Sequence, residues 1–238
     1  MTVNRQATLI RWLLFLCVGV LMVGTLTWHD TGQVSGGRNE KLYFPSGKFL
    51  VESSVGFRGM AADYLWFRFV QYYGAFAKGH NDLRYFDSII DGIVRLDPRF
   101  VEAYHFASLV KWSDFGDFPG SIDMLKRGVL HNPDIAKLKF QIGFTYYVFY
   151  RDMPRAAFWF EQAAACSDAT DFEQRFAAFA RYRAGDDNVS LQLWKKLYAS
   201  TENGQIRSLA EKMIGKLTRR LENRKIYGDN FIGPIPEI

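Results

Sequence analysis

The chain has 238 residues, of which 48% are apolar and 16% aromatic. That is too apolar for a disordered chain and long enough for one sizeable core with an appendage. The formal net charge of +5 is modest for this length, and two cysteines far apart, Cys17 and Cys166, exclude a disulfide framework.

Residues 12–28 read Trp-Leu-Leu-Phe-Leu-Cys-Val-Gly-Val-Leu-Met-Val-Gly-Thr-Leu-Thr-Trp, without a charge. With Leu9 and Ile10 beyond a snorkelling Arg11, residues 9–28 reach the length a helix needs to cross the hydrocarbon of a bilayer. A tryptophan at each end suits the interfacial belt. Leu26, Thr27, Trp28 and His29 offer no Ala-x-Ala-like cleavage site, so residues 1–30 are expected to be an uncleaved anchor and not a secretory signal. Cys17 sits in the middle of the run behind Leu16, which excludes lipidation. Arg5 and Arg11 put the N-terminus in the cytoplasm by the positive-inside rule. The rest of the chain is then expected on the periplasmic side of an inner membrane.

A linker follows over residues 31–57. Its first ten residues are rich in Gly and polar side chains and read as a spacer. Tyr43-Phe44-Pro45-Ser46-Gly47 is an aromatic turn, and residues 49–55 read as an extended piece. From Arg58 to Phe76 the pattern predicts a helix carrying Tyr64, Trp66, Phe67, Phe69, Tyr72, Tyr73 and Phe76. Apolar side chains cover more than one stripe of it, so packing against neighbours within the chain is expected on two faces. The alternatives are that one face docks on another protein or on the bilayer surface.

The remainder alternates short helical patterns with turn residues. Asp97-Pro98 and Asn132-Pro133 each close a helix, 35 positions apart. Ile142-Gly143-x-x-Tyr146 is followed by Ala156-x-x-x-Phe160-x-x-Ala163. Small residues at Gly143 and Ala156 let two helices cross closely, with Tyr146 and Phe160 filling the space beside the crossing. This pair of strings resembles the tetratricopeptide (TPR) repeat, Leu-Gly-x-x-Tyr in a first helix and Ala-x-x-x-Phe-x-x-Ala in a second. The hairpin before it has Tyr104, Ala107, Ser108, Ser121, Leu125, Gly128 and Pro133, and the one after it Ala177, Ala178, Ser190, Trp194 and Leu197. The first hairpin departs further: Phe86 stands where a small residue belongs, and a longer turn over residues 77–82 joins its helices. Lys139 also replaces an aromatic usual in the family. The expected fold is all-α, with an N-terminal transmembrane helix, TPR-like hairpins over 58–202, and a capping helix over 203–227.

That last helix has an apolar stripe of Ile206, Leu209, Met213, Leu217 and Leu221. Arg207, Lys212, Lys216, Arg219, Arg220, Arg224 and Lys225 take the other face, expected to be solvated, with contact to anionic lipid or an acidic partner as the alternative. A Pro-containing tail, residues 228–238, is expected to fold back.

Catalytic signatures are missing. His29, His80, His105 and His131 are scattered, and no phosphate-binding loop, nucleophile elbow or Cys-x-x-Cys-His haem site occurs. The expectation is a non-enzyme with no cofactor, no metal and no nucleic-acid partner. Asp168, Asp171, Asp186, Asp187 and the Asn188-Val189-Ser190 sequon are expected to be helix caps. The TPR resemblance implies that first helices line a concave surface holding another protein. Carried over repeat by repeat, it points to Phe67, Gln71, His105, Trp112, Phe140, Phe144, Tyr147, Arg175 and Tyr182. The implied function is a membrane-anchored scaffold or assembly factor that binds subunits of an envelope complex. A permanent accessory subunit of such a complex (respiratory, pilus or secretion) is the alternative.

Overall fold

The structure, a computed structural model, describes Ser54 and residues 56–228. The expected anchor over 9–28, nearly all of the linker, and the tail after Gly228 lie outside the described residues. Within those described, no helix is long and apolar enough to cross a membrane. The helical array belongs to a unit made of Phe44–Tyr73 and Leu83–Ile238. Gly74–Asp82 belongs to a second unit and is described by itself: it closes the first helix in a turn where Gly79 takes φ 75° and donates to the Phe76 carbonyl.

Among the described residues there are nine α-helices and no strands. They pair as α1 (Arg58–Ala77) with α2 (Phe86–Leu96), α3 (Val101–Ser113) with α4 (Phe118–His131), α5 (Ala136–Thr145) with α6 (Met153–Ala164), and α7 (Asp171–Arg183) with α8 (Asp187–Ser200). A single helix α9 (Gly204–Tyr227) follows, and between α5 and α6 the chain makes one π-helical turn, Tyr146–Tyr150. This is the expected order of α-hairpins followed by a single helix.

The crossings show why these residues sit at that spacing. A Cβ built on Gly143 would lie 2.8 Å from the Phe160 ring and 3.2 Å from the Ala156 carbonyl oxygen. One on Gly128 would lie 2.8 Å from the Tyr104 ring and 3.0 Å from Leu138. Hydrogen is the only side chain both crossings accept without a shift. Tyr146 packs at the margin of this cluster, while Tyr147 comes to 6.4 Å from the Phe160 ring. In the first hairpin Phe86 is fully buried and meets Phe69 at 5.8 Å, ring to ring. Two rings hold α1 and α2 apart where a glycine would let backbones meet, so α1 packs through its aromatic tips more than by close backbone approach.

A row of polar contacts ties each inter-hairpin loop to the next. Asn132 Nδ2 donates to the Pro98 carbonyl at 3.4 Å and to the Gly128 carbonyl at 3.1 Å. Asp134 accepts from the Ser167 amide at 2.8 Å and from its hydroxyl, and in return Asp168 accepts from the Ala136 amide at 2.8 Å. Asp171 accepts from the Thr201 hydroxyl. The expected caps are therefore redistributed. Thr170 with Glu173 forms the capping box of α7, whereas Asp168 caps α5, one hairpin back. Asp186 caps α8. Neither Asn188 nor Ser190 is a cap; the Ser190 hydroxyl donates to the Ala178 carbonyl at 2.8 Å, in the small-residue crossing of the last hairpin.

Helix α1 departs from the expectation of two packed faces. Ala62, Leu65, Phe69 and Tyr72 are buried, and Trp66 sits 5.4 Å from Phe100 and 5.8 Å from Phe106. Met60, Tyr64, Phe67 and Val70 are instead exposed. In α9 the expected apolar stripe packs on α8 at Ile206, Met213, Leu217 and Leu221, joined by Ala210 and Ile214, and only Leu209 is exposed.

Candidate protein-binding face

Neighbouring first helices are joined side to side. Trp66 and Tyr73 of α1 meet Phe106 of α3 edge to face, at 5.8 and 5.0 Å. Lys137 of α5 reaches Glu102 of α3 at 2.9 Å. Phe140 of α5 meets Phe172 and Phe176 of α7 at 4.9 and 5.1 Å. Aromatic pairs of this kind add about 0.5–1.5 kcal/mol beyond their burial.

The nine candidate residues divide into groups along this row. Phe140, Phe144 and Tyr147 gather on the cluster centred on Phe160, and all three are half-buried. Arg175 lies over the rings of Phe172 and Phe176, its guanidinium carbon 5.7 and 5.8 Å from the two centroids. The structure thus brings Phe140, Phe144, Tyr147 and Arg175 into one aromatic and cationic patch on α5, the π-helical turn after it, and α7. Such residue types dominate interface energies when a partner covers them.

Trp112 stands apart. Its ring meets Phe149 at 5.0 Å, tilted by 43°, and Phe149 in turn meets Phe118 at 4.5 Å. Phe149 is delivered there by the π-helical turn, which Arg151 closes in a left-handed conformation (φ 52°) and the Asp152 amide closes by donating to the Tyr146 carbonyl at 3.1 Å. The Trp112 indole nitrogen is buried and finds no acceptor among the described residues. His105 is half-buried on α3, and burial, with help from the Lys137 ammonium and against the pull of Glu102, lowers its pKa from 6.5. Phe67 and Gln71 are exposed on α1.

Tyr182 is committed to α9. Lys216 and Arg220 lie over its ring at 4.8 and 5.5 Å, and the Lys216 hydrogen bond and charge lower the phenol pKa against its burial. The same helix face is only partly solvated. Asp187, with no exposed side-chain surface, has its Oδ2 2.8 Å from Arg224 and 3.1 Å from Arg220, and Arg207 donates to the Thr201 carbonyl at 2.6 Å. Distance brings these charges together although neither guanidinium meets hydrogen-bond geometry on the carboxylate. Sequence reasoning placed both arginines on a solvated face and Asp187 in a cap. Complementary charge between the α8 start and α9 was the signal that could have joined them.

Lys139, at the position usual for an aromatic, donates to the Cys166 sulfur at 3.2 Å, and Cys166 itself donates to the Gln162 carbonyl. The buried cysteine is therefore part of the α5–α6 packing.

No protein-family model matches this chain, and no curated protein matches it. Among solved structures it is similar to the crystal structure of MamA, with a TM-score of 0.40 and 17% identity over 65% of this chain and 96% of that one. A second crystal structure of MamA protein gives 0.39 and 17% over 68% and 93%.

Proposed function

We propose that this chain is a protein-binding scaffold or assembly factor, anchored by residues 9–28 in an inner membrane with its TPR-like hairpins on the periplasmic side. The observation that carries the binding role is the half-buried aromatic patch of Phe140, Phe144 and Tyr147 beside Arg175 stacked on two phenylalanines. A rigid pair of hairpins presents these groups at little entropic cost, and an extended or helical protein segment with apolar and acidic side chains complements them. The anchoring rests on the uncharged run and its flanking tryptophans and arginines. His105 and Trp112 extend the face along α3, while Tyr182 belongs to the α9 contact.

The test is crosslinking in intact membranes followed by mass spectrometry, comparing the native chain with Arg175→Glu. Arg175 is half-buried but carries no ion pair among the described residues, so the variant is expected to fold, with an unchanged thermal melt. Loss of the crosslinked partner from a folded variant is the expected result. An undiminished set of partners would overturn the assignment of this face. Detergent extraction separates the two forms of the reading: a transient assembly factor loses its partner, whereas a permanent subunit retains it in stoichiometric amount.

A further inference from the structure

The side chains of Phe57, just before α1, and of Met60, Tyr64, Phe67 and Val70 within it are 67, 69, 63, 58 and 49% exposed. Spacings of three and four put them on one side of the helix, away from the buried Ala62, Leu65, Phe69 and Tyr72. The array does not use this stripe. An exposed, mainly apolar stripe of this kind marks an interaction site.

Chain position and composition name the occupant. Trp28 ends the uncharged run, and 28 residues separate it from Phe57. Fully extended, these span at most about 100 Å. A chain anchored by that run therefore holds α1 within that reach of the bilayer, and tethering makes its docking an intramolecular step. The stripe itself mixes Phe, Tyr and Met. The same spacing puts exposed Asp63 between Phe67 and Val70, Arg68 at the edge of the stripe and Arg58 on the opposite side of the helix. Aromatic and aliphatic side chains around a lone carboxylate suit the wet headgroup boundary of a bilayer and not its hydrocarbon.

We propose that the Phe57–Met60–Tyr64–Phe67–Val70 stripe is a second membrane contact, lying in the headgroup region of the bilayer that holds residues 9–28. This rests on the anchoring proposed above. It sets the first hairpin against the lipid, with the aromatic patch of α5 and α7 further along the array.

The experiment uses the full chain, with Cys17→Ser and Cys166→Ala, reconstituted in vesicles of phosphatidylcholine and phosphatidylglycerol. A single environment-sensitive fluorophore is attached at Tyr64→Cys or Phe67→Cys, or at Lys212→Cys on exposed α9 as the reference. Flotation is read first. Quenching by lipids carrying a nitroxide near the headgroup is read second. Flotation with blue-shifted emission and several-fold stronger quenching at 64 and 67 than at 212 is the expected result. Flotation with equal, weak quenching at all three sites overturns the lipid contact and leaves the anchor standing. A blue shift at 64 and 67 without quenching likewise overturns it, in favour of a protein on the stripe. Failure to float sinks the anchor and this proposal together. Met60→Asp with Val70→Asp, both at exposed positions, should abolish quenching at Phe67→Cys while the thermal melt is kept.

Discussion

Gly143 and Gly128 sit where two helices have no room for a methyl group, each facing a ring within 3 Å of the missing Cβ. Gly143→Val is expected to cost about 1–3 kcal/mol as Phe160 is displaced. Gly215 in α9 has open space around it, so Gly215→Ala should raise stability by about 0.5–1 kcal/mol. Urea denaturation midpoints of the two variants should move in opposite directions. His105 gives a pH dependence whose sign follows from its lowered pKa. Above 6.5 the imidazole is neutral in both states and nothing is lost. As pH falls below that value the unfolded chain takes the proton first, and stability declines until the folded pKa is passed. His105→Gln should therefore flatten the fall in stability between neutral and mildly acidic pH, measured by denaturation at both. The glycines were legible because their spacing from Tyr146, Ala156 and Phe160 forms a pattern. The environment of His105 was legible only in part: Glu102 lies three residues before it on the same helix, whereas burial and Lys137, from α5, reach it only through the fold.

Whole helices were read well, and their faces less well. The bounds of α9 follow from Asn203, which caps it through its carboxamide oxygen, and from Gly228, which ends it at φ 84°. Its apolar stripe was misjudged only at Leu209, because the neighbouring Ala210 takes the buried place in the cluster shared with α8. Its charges were misjudged at Arg220 and Arg224, since seven basic residues look alike until one acid is buried among them. Asp187→Ala is expected to cost about 2 kcal/mol, less than the loss of a fully buried pair because both arginines keep some contact with water. A double-mutant cycle of Asp187→Ala with Arg224→Ala should show coupling, whereas Arg219→Ala, at an exposed position, should not couple. Helix α1 was legible as a helix dense in aromatics. Which of its faces the array covers depends on Phe86, Phe100 and Phe106, which lie up to 40 residues further on.

Across the whole molecule the period of 35 announced the hairpins, because each closing Asp-Pro or Asn-Pro step stops a helix at the same point of its repeat. The cross-loop contacts among Asn132, Asp134, Asp168 and Asp171 were outside what a repeat pattern can show, since each joins one repeat to the next. Four of the nine candidate residues form one patch, and the others lie along α1 and α3 or under α9. On the proposed function, first helices and not second ones meet the partner. A photo-crosslinking amino acid placed at Phe144 on α5, or at Phe158 on α6, which is 51% exposed, distinguishes the two. Irradiated in membranes, the chain should form one discrete adduct with another protein from position 144 and none from 158. Adducts from 158 alone would place the partner on the second helices instead.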